Sequence, residues 1–166
     1  ATKTLGIPQC TRREYNVDGK LSFYEVSYDG NVNYSLSYEY DENGFLTAEK
    51  GSSGGSSWSR LYVNDGFGNP VTVTSSDSAR ESTLVNAYTY DNDGNILSCK
   101  TSGEDAVGAG EQINEYDEMG RLVRTTMRPE QTPIVCIIEY AYDAKGNVVM
   151  EANQMSFEGK AEPGVV

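Results

Sequence analysis

A tyrosine–aspartate–glycine signature recurs six times along this chain of 166 residues. The Asp or Asn residues of successive copies are separated by 25, 24, 26, 26 and 26 residues. Repeats of this period indicate one supersecondary unit stacked on copies of itself. The residues predicted to build the repeated turns are Asn16 and Gly19, Asp41 and Gly44, Asp65 and Gly68, Asp91 and Gly94, Asp117 and Gly120, and Asp143 and Gly146.

The spacing within each copy is typical of a hairpin loop. Asp or Asn stands three residues before glycine, which fits a three-residue loop made of a type I turn and a left-handed residue in a G1 bulge. The side-chain oxygen of Asp or Asn accepts hydrogen bonds from backbone N–H groups further along the turn. Glycine occupies the left-handed position without a Cβ clash. Each copy therefore predicts one β-hairpin.

The residues around each loop indicate how the sheet is covered. Side chains alternate along a strand, so in the second copy Tyr40 is predicted to face Leu46, and Tyr38 to face Ala48. This alternation gives one aromatic and aliphatic face and one mostly polar face. Such a pattern is typical of an antiparallel sheet that is covered on one side only.

The third copy departs from this pattern. Asn64 stands where the other copies have tyrosine, and Pro70 stands in place of the apolar residue after the turn. The apolar residues of this copy fall on the opposite phase of the two strands, at Leu61, Val63, Val71 and Val73. Two explanations are open: a further bulge in this hairpin, or partial burial of both of its faces.

These hairpins predict an all-β fold, an antiparallel β-meander of about six repeated hairpins with roughly eleven to thirteen strands. We expect the sheet to be twisted and curled, as a half-barrel or a sheet folded on itself. Residues 1–152 are expected to form a single domain and residues 153–166 a last strand or tail. The repeats are placed near 13–36, 37–61, 62–86, 87–112, 113–138 and 139–158. The segments predicted to be flexible connections are 51–57, 75–78, 102–110 and 128–133.

The composition of the chain favours a half-buried sheet and argues against some classes of binding partner. Twelve residues are tyrosine and only 37% of the chain is hydrophobic, which suits half-buried sheets. The formal net charge of −12 argues against nucleic acid and against anionic membrane surfaces. No apolar run is long enough to span a membrane. No secretory signal is present in the chain, and its start at Ala1 is that expected of a mature form.

The sequence around the turns resembles the YD repeat, also called the Rhs repeat. Segments 38–41, 88–91 and 140–143 match its Tyr-x-Tyr-Asp core, and the resemblance covers roughly residues 13–152. In large members of that family the repeats form a long antiparallel strip that spirals into a hollow shell. Bacterial toxin complexes enclose a toxic segment in such a shell, and teneurins carry a related barrel on the cell surface. Six repeats are too few to close such a shell. The resemblance therefore implies a short extracytoplasmic bacterial member, secreted or in the cell envelope, with a lipoprotein as one form.

The chain offers few candidates for catalysis or metal binding. Histidine is absent, which excludes Ser-His-Asp and Cys-His catalysis and zinc sites with imidazole ligands. Cys10, Cys99 and Cys136 are scattered without CxxC spacing, and a single disulfide with one leftover thiol stays open. The acidic run at 91–95 has glycine in its fourth position, whereas a calcium loop of the EF-hand type requires it in the sixth. We predict no catalytic residues, no metal and no cofactor.

Two functions follow from the need to cover the tyrosine face. The first is a non-catalytic structural or interaction module at the cell surface, with a protein or cell-surface partner or an edge-strand homodimer. The second is a carrier that binds a hydrophobic ligand on the concave face of the sheet. The aromatic residues predicted to face that ligand are Tyr40, Tyr90, Tyr116 and Tyr142. The sequence leaves the identity of the partner or ligand and the oligomeric state open.

Overall fold

The structure, a computed structural model, describes residues 9–103 and 108–157. Its antiparallel strands follow one another in the sheet in sequence order, which confirms the predicted all-β meander. Within the described ranges, no helix is long and apolar enough to cross a lipid bilayer. The strands are β1 Gln9–Tyr15, β2 Leu21–Tyr28, β3 Asn31–Tyr40, β4 Leu46–Ser53, β5 Ser56–Asn64, β6 Pro70–Asp77, β7 Ser82–Tyr90, β8 Ile96–Ser102, β9 Gly110–Tyr116, β10 Leu122–Pro129, β11 Ile134–Tyr142 and β12 Val148–Phe157.

The backbone of each repeated turn closes in the same way. In the second repeat the Asp41 N–H donates to the Phe45 carbonyl at 2.9 Å, and the Gly44 N–H donates back to the Asp41 carbonyl at 3.0 Å. The other five repeats make the equivalent pair of bonds. Gly44 has φ +80°, in the left-handed region that a side chain rarely adopts. These are three-residue loops with glycine in the left-handed position.

Each hairpin carries a second irregularity, which the turn pattern in the sequence does not predict. Tyr40 does pair with Leu46, but Glu39 then pairs with Ala48, so Thr47 is an extra residue in a β-bulge. The predicted pairing of Tyr38 with Ala48 is therefore wrong, because the bulge places Glu49 opposite Tyr38. The same bulge follows every repeated turn. The extra residues are Ser22, Thr47, Val71, Leu97, Val123 and Val149.

The bulge also explains the unusual apolar pattern of the third repeat. Asn64 pairs with Pro70 across its turn, as tyrosine pairs with an apolar residue elsewhere, and the same one-residue bulge follows. The expectation that Val73 lies on the same face as Leu61 and Val63 is wrong, because the bulge pairs Val73 with Tyr62. Val73 is buried, whereas Leu61 and Val63 are 48% and 59% exposed. This hairpin thus has the common geometry, and its second apolar face is largely exposed.

Two of the connections opposite the repeated turns are tight two-residue loops. Asp29 and Gly30 have φ of +49° and +75°, and Gly54 and Gly55 have +59° and +85°. Positive φ at both central residues is the conformation of a type I′ turn, which matches the twist of the strands it joins. The prediction that 51–57 is a flexible connection is therefore wrong, because serine residues on both sides of Gly54 and Gly55 belong to β4 and β5. Within the connection predicted at 102–110, residues 104–107 lie outside the described part of the chain.

The contacts divide the chain into two compact units, Ala1–Thr83 and Leu84–Val166. In the first unit Ala48 and Val73 are buried hydrophobic residues, and in the second Ala109 and Val135 are. No large side chain among the described residues is fully buried. Each unit is a single layer of sheet, so its tyrosine side chains are half-covered by neighbours on the same face. The predicted domain boundary at residue 152 stays a prediction; β12 continues to Phe157.

A pair of glycine substitutions tests the packing of neighbouring turns. Gly68 and Gly94 have φ of +90° and +86°, so alanine at either position costs about 1–2 kcal/mol of backbone strain. A Cβ on Gly68 would also meet the ring of Phe45 in the preceding turn, whereas a Cβ on Gly94 would meet nothing. We expect Gly68→Ala to lower the free energy of unfolding by about 1–3 kcal/mol more than Gly94→Ala. Urea denaturation of both variants measures the difference, and equal losses would show that the Phe45 contact does not constrain the turn.

Candidate functional site: the repeated turns and the bonds between repeats

The Asp or Asn side chain holds its own turn in every repeat. In the fourth repeat, Asp91 Oδ1 accepts hydrogen bonds from the backbone N–H groups of Asp93 at 2.9 Å and Asn95 at 2.8 Å. Asn16 Oδ1 accepts the equivalent bonds from Asp18 and Lys20 in the first repeat. An amide oxygen therefore serves this purpose as well as a carboxylate, which explains why the first repeat tolerates Asn.

Four of the turns use the second carboxylate oxygen as well. Asp65, Asp91 and Asp143 accept a hydrogen bond from the side-chain amide of the asparagine four residues later, at 2.9–3.0 Å. Asp117 instead accepts from Arg121 Nε at 2.7 Å. This side-chain hydrogen bond is the main cause that lowers the pKa of each of these four carboxyl groups, and backbone N–H donors add to it. These carboxylates are held as anions by their own turns.

The repeats are joined by a bond from a tyrosine hydroxyl to a backbone carbonyl. The acceptor is the carbonyl of the apolar residue that follows the preceding repeated turn. We call this contact the inter-repeat bond. It links Tyr40 to Leu21 at 2.9 Å, Tyr116 to Ile96 at 3.0 Å and Tyr142 to Leu122 at 2.7 Å. The tyrosine of the signature thus pairs within its own hairpin and bonds to the previous one.

Asparagine replaces tyrosine in one inter-repeat bond and assists it in another. Asn64 Nδ2 donates to the Leu46 carbonyl at 2.8 Å, which is the contact that tyrosine makes in other repeats. In the fifth repeat, Asn114 Nδ2 donates to the Ile96 carbonyl at 2.9 Å beside the Tyr116 hydroxyl. The requirement at this position is a side-chain donor long enough to reach the neighbouring hairpin. The side-chain N–H donor of Asn64 is the signal in the sequence from which this contact could have been predicted.

Cationic side chains in two of the turns cover the tyrosine of the next repeat. The Lys20 ammonium lies 5.3 Å from the centre of the Tyr40 ring and also donates to the Gly44 carbonyl. The Arg121 guanidinium lies 4.7 Å from the Tyr142 ring centre. These distances are within the range of cation–π attraction. The turn and the inter-repeat bond therefore form one connected contact between neighbouring hairpins.

The four tyrosines that were predicted to face a ligand are all half-buried. Tyr40, Tyr116 and Tyr142 use their hydroxyl groups in inter-repeat bonds. The ring of Tyr90 stacks on that of Tyr88, with 6.4 Å between the ring centres. The ligand-facing role of these residues stays a prediction.

The first unit contains a groove of about 540 Å³ whose lining is rich in hydroxyl groups. Ser35 Oγ lies 2.8 Å from Ser52 Oγ, and Ser76 Oγ lies 3.2 Å from Thr83 Oγ1. The groove crosses several strands because pairs such as Ser52 and Ser57 face each other in register. Its hydroxyl lining comes from Ser35, Ser37, Ser52, Ser57, Ser59, Ser76, Ser78, Ser82 and Thr83. Four of these hydroxyls are bonded in pairs across the groove lining.

The remaining candidates for chemistry lie apart. Cys10, Cys99 and Cys136 are free thiols; Cys10 is exposed and the other two are half-buried. The Trp58 ring packs on Gly51, with the Arg60 guanidinium 5.2 Å from its centre. Within 9–103 and 108–157, no three His, Cys, Asp or Glu residues come together in a group that could hold a metal ion. Structural contacts thus account for the recurrent polar residues of the repeats.

The family model for the teneurin YD-shell matches residues 8–159. The chain belongs to the teneurin YD-shell family. This match covers all six turns and all four inter-repeat bonds described above, and it agrees with the resemblance to YD repeats seen in the sequence. No curated protein matches the chain.

Two solved structures that are similar to this YD-shell chain share its fold. One is the crystal structure of a TcdB2–TccC3–Cdc42 complex, with a TM-score of 0.69 and 18% sequence identity. Another is the Photorhabdus luminescens Tc holotoxin pore, with a TM-score of 0.66 and 18% identity. In both cases the similarity covers 89% of this chain and 8% of the other chain. At this identity the similarity shows a shared fold, and the YD-shell chain spans a small part of those proteins.

Removing single hydroxyl groups tests the inter-repeat bond. In Tyr142→Phe the Leu122 carbonyl loses the side-chain donor that it has among the described residues, and we expect a loss of about 1 kcal/mol. Tyr116→Phe is the matched control, because Asn114 still donates to the Ile96 carbonyl. We therefore expect a smaller loss for Tyr116→Phe in urea denaturation. A larger loss for Tyr116→Phe would contradict the proposed importance of the donor.

The lowered pKa of the four turn carboxyl groups predicts a pH dependence. A depressed pKa in the folded state contributes stability above the ordinary Asp pKa of about 4, and this contribution is lost as the pH falls through the lowered value. The thermal unfolding midpoint should therefore fall as the pH decreases from about 5 to about 2. Asp91→Asn should make this fall shallower, since Asn16 shows that an amide accepts the backbone bonds without titrating. An unchanged profile in this variant would exclude Asp91 as a contributor.

Proposed function

We propose that this chain is a non-catalytic structural module, a segment of β-strip that builds or extends a protein shell. The observation that carries the proposal is the inter-repeat bond, which recurs with the same donor and acceptor positions in both units. Its regularity is that of a scaffold assembled from interchangeable hairpins. Membership of the YD-shell family supports the same conclusion.

The use of the polar side chains supports a non-catalytic role. A carboxylate that acts as a general acid or base near neutral pH requires a pKa close to that pH. In this chain the turn hydrogen bonds lower the pKa of Asp65, Asp91, Asp117 and Asp143 away from that range. The repeated polar residues therefore serve the backbone of the strip.

The exposed apolar side chains of the two units support a role in binding other protein surfaces. A single layer of sheet leaves apolar side chains of β12 without cover, since Met155 and Phe157 are 79% and 76% exposed. Two turn residues, Phe67 and Met119, are 89% and 71% exposed as well. Exposed apolar side chains of this kind are commonly covered by a partner protein. The partner proposed here is a protein or cell-surface component, and the net charge of −12 disfavours nucleic acid.

The proposed location is outside the cytoplasm, secreted or in the bacterial cell envelope, with a lipoprotein as one form. One of the similar solved structures is a bacterial Tc holotoxin pore, which supports this location. Because the chain spans 8% of those proteins, enclosure of a cargo requires more strip than these six repeats supply.

Native mass spectrometry of the purified protein, compared with the same sample after denaturation, tests the proposal. A structural module should have the sequence mass, or multiples of it, before and after denaturation. Extra mass that disappears on denaturation would identify a bound ligand and overturn the proposal in favour of the carrier. A sample purified in a second, detergent-free buffer is the control, since an adventitious additive disappears with the buffer that contained it and a ligand acquired in the cell does not.

A further inference from the structure

Three sulfur-containing side chains lie next to one another on one face of the second unit. Cys136 on β11 pairs with Met127 on β10 and with Met155 on β12. Directly paired residues of an antiparallel sheet point to the same face, so the three side chains form one row across three strands. We call this row the sulfur row. Its members are far apart in the sequence, and the register of the strands brings them together.

The repeat does not require sulfur at these positions. In the first unit the equivalent strand positions hold Gly51, Trp58 and Asp77, which pair with one another in the same way. The chain contains four methionines and three cysteines among its 166 residues. Two of the four methionines on either side of one cysteine are therefore more than the composition alone would be expected to bring together.

The two methionine side chains have room to turn towards the cysteine between them. Cα atoms of paired residues lie about 4.5–5.5 Å apart, and the three rotatable bonds of methionine let its thioether lean over a neighbouring strand. Met155 is 79% exposed. Met127 borders a cavity of about 210 Å³, which Cys99 and Gln112 also line. Both thioethers can therefore approach the free thiol of Cys136.

One thiolate and two thioethers are the ligands that a soft monovalent metal ion prefers. Thiolate and thioether sulfur select Cu(I), whereas carboxylate and carbonyl oxygen suit harder cations. A structural Zn²⁺ site takes four ligands from Cys, His, Asp and Glu. In the part of the chain that the structure describes, no three of those residues form a group that could hold a metal ion. The sulfur row therefore favours copper over zinc.

The neighbours of the sulfur row along its strands favour a site without net charge. Ile134 and Ile138 lie two positions before and after Cys136, and Phe157 lies two positions after Met155, so all three share the face of the row. A net charge beside apolar side chains is unfavourable. The positive charge of Cu(I) is cancelled by the negative charge of one thiolate, whereas a divalent ion would keep a positive charge.

We propose that Met127, Cys136 and Met155 bind Cu(I), with the Cys136 thiolate as the anionic ligand. The site lies on a face of the sheet, so it requires neither edge of the sheet to be free. Binding replaces the thiol proton of Cys136 with the metal ion and releases that proton to solvent, with no change in the oxidation state of copper or sulfur. This site goes beyond the proposed function and does not depend on it.

Competition with the chelator bicinchoninate tests the site, with the reduced protein and Cu(I) under anaerobic conditions. Native mass spectrometry measures the stoichiometry, and we expect one copper ion per chain. Cys136→Ser, Met127→Leu and Met155→Leu should each weaken binding at least tenfold, because each removes one sulfur ligand. Leucine is close to methionine in volume, so these two variants should keep the fold. Zn²⁺ offered in place of copper should not be retained.

Matched controls separate the sulfur row from the other sulfur atoms of the chain. Met150→Leu is the control for Met155→Leu, because Met150 lies on the same strand and on the opposite face. Cys10→Ser and Cys99→Ser are the controls for Cys136→Ser. All three control variants should bind Cu(I) as tightly as the unchanged protein. Circular dichroism checks that each variant keeps its β-sheet.

Three results would overturn the proposal. Unchanged affinity in either Met127→Leu or Met155→Leu would show that the site does not use both thioethers. Copper found only in dimers would show that the ligands come from two chains. Retention of Zn²⁺ with the affinity of Cu(I) would show that the site does not select a soft monovalent ion.

The failure of this inference and that of the proposed function are distinguishable. A copper ion has its own mass and isotope pattern and is removed by the chelator, so it is not confused with the hydrophobic ligand that would overturn the structural module. An absence of copper binding would overturn the metal site and leave the module intact.

Discussion

The tyrosine hydroxyl that bonds to a carbonyl of the previous hairpin is the contact on which this architecture depends. A hairpin alone is marginally stable in water, and three or more strands are needed before a sheet persists. At four junctions the inter-repeat bond adds a side-chain contact to the backbone ladder, close to the turn. It also satisfies a carbonyl near the bulge, where the regular ladder is interrupted. The turn, the bulge and the bond therefore stabilise the same point of each repeat.

The cationic side chains of two turns also connect neighbouring repeats. Lys20 and Arg121 stand between the turn glycine of their own repeat and the acceptor residue, so their cationic ends lie over the tyrosine ring of the next repeat. Arg121 also bonds to Asp117, which places an anion, a cation and an aromatic ring in one chain of contacts. Each interaction is weak where it is exposed to water. The Lys20 and Arg121 contacts therefore add modestly to the turn hydrogen bonds, which recur in all six repeats.

The sequence predicted the hairpins, the strand order and the family, because turn chemistry is local and repeats at a fixed period. It did not predict the bulge at Thr47, since an extra residue in a strand needs no glycine and leaves no compositional mark. Because of this extra residue, Tyr38 pairs with Glu49 and not with Ala48. The alternation of side chains therefore predicts the wrong face for the residues after Thr47. It also did not predict the inter-repeat bond, because the acceptor is a backbone carbonyl that any residue supplies. The two-residue turn at Gly54 and Gly55 was mistaken for a flexible segment, although paired glycines also suit a type I′ turn.

The backbone nature of the acceptor has a consequence for how such chains change over time. Leu21, Leu46, Ile96 and Leu122 all accept the bond, and their side chains take no part in it. A repeat can therefore be duplicated, deleted or exchanged with a repeat from another gene, and the junction on either side still finds its donor and its acceptor. Recombination between repeats would change the length of the strip without requiring compensating substitutions at the new junction.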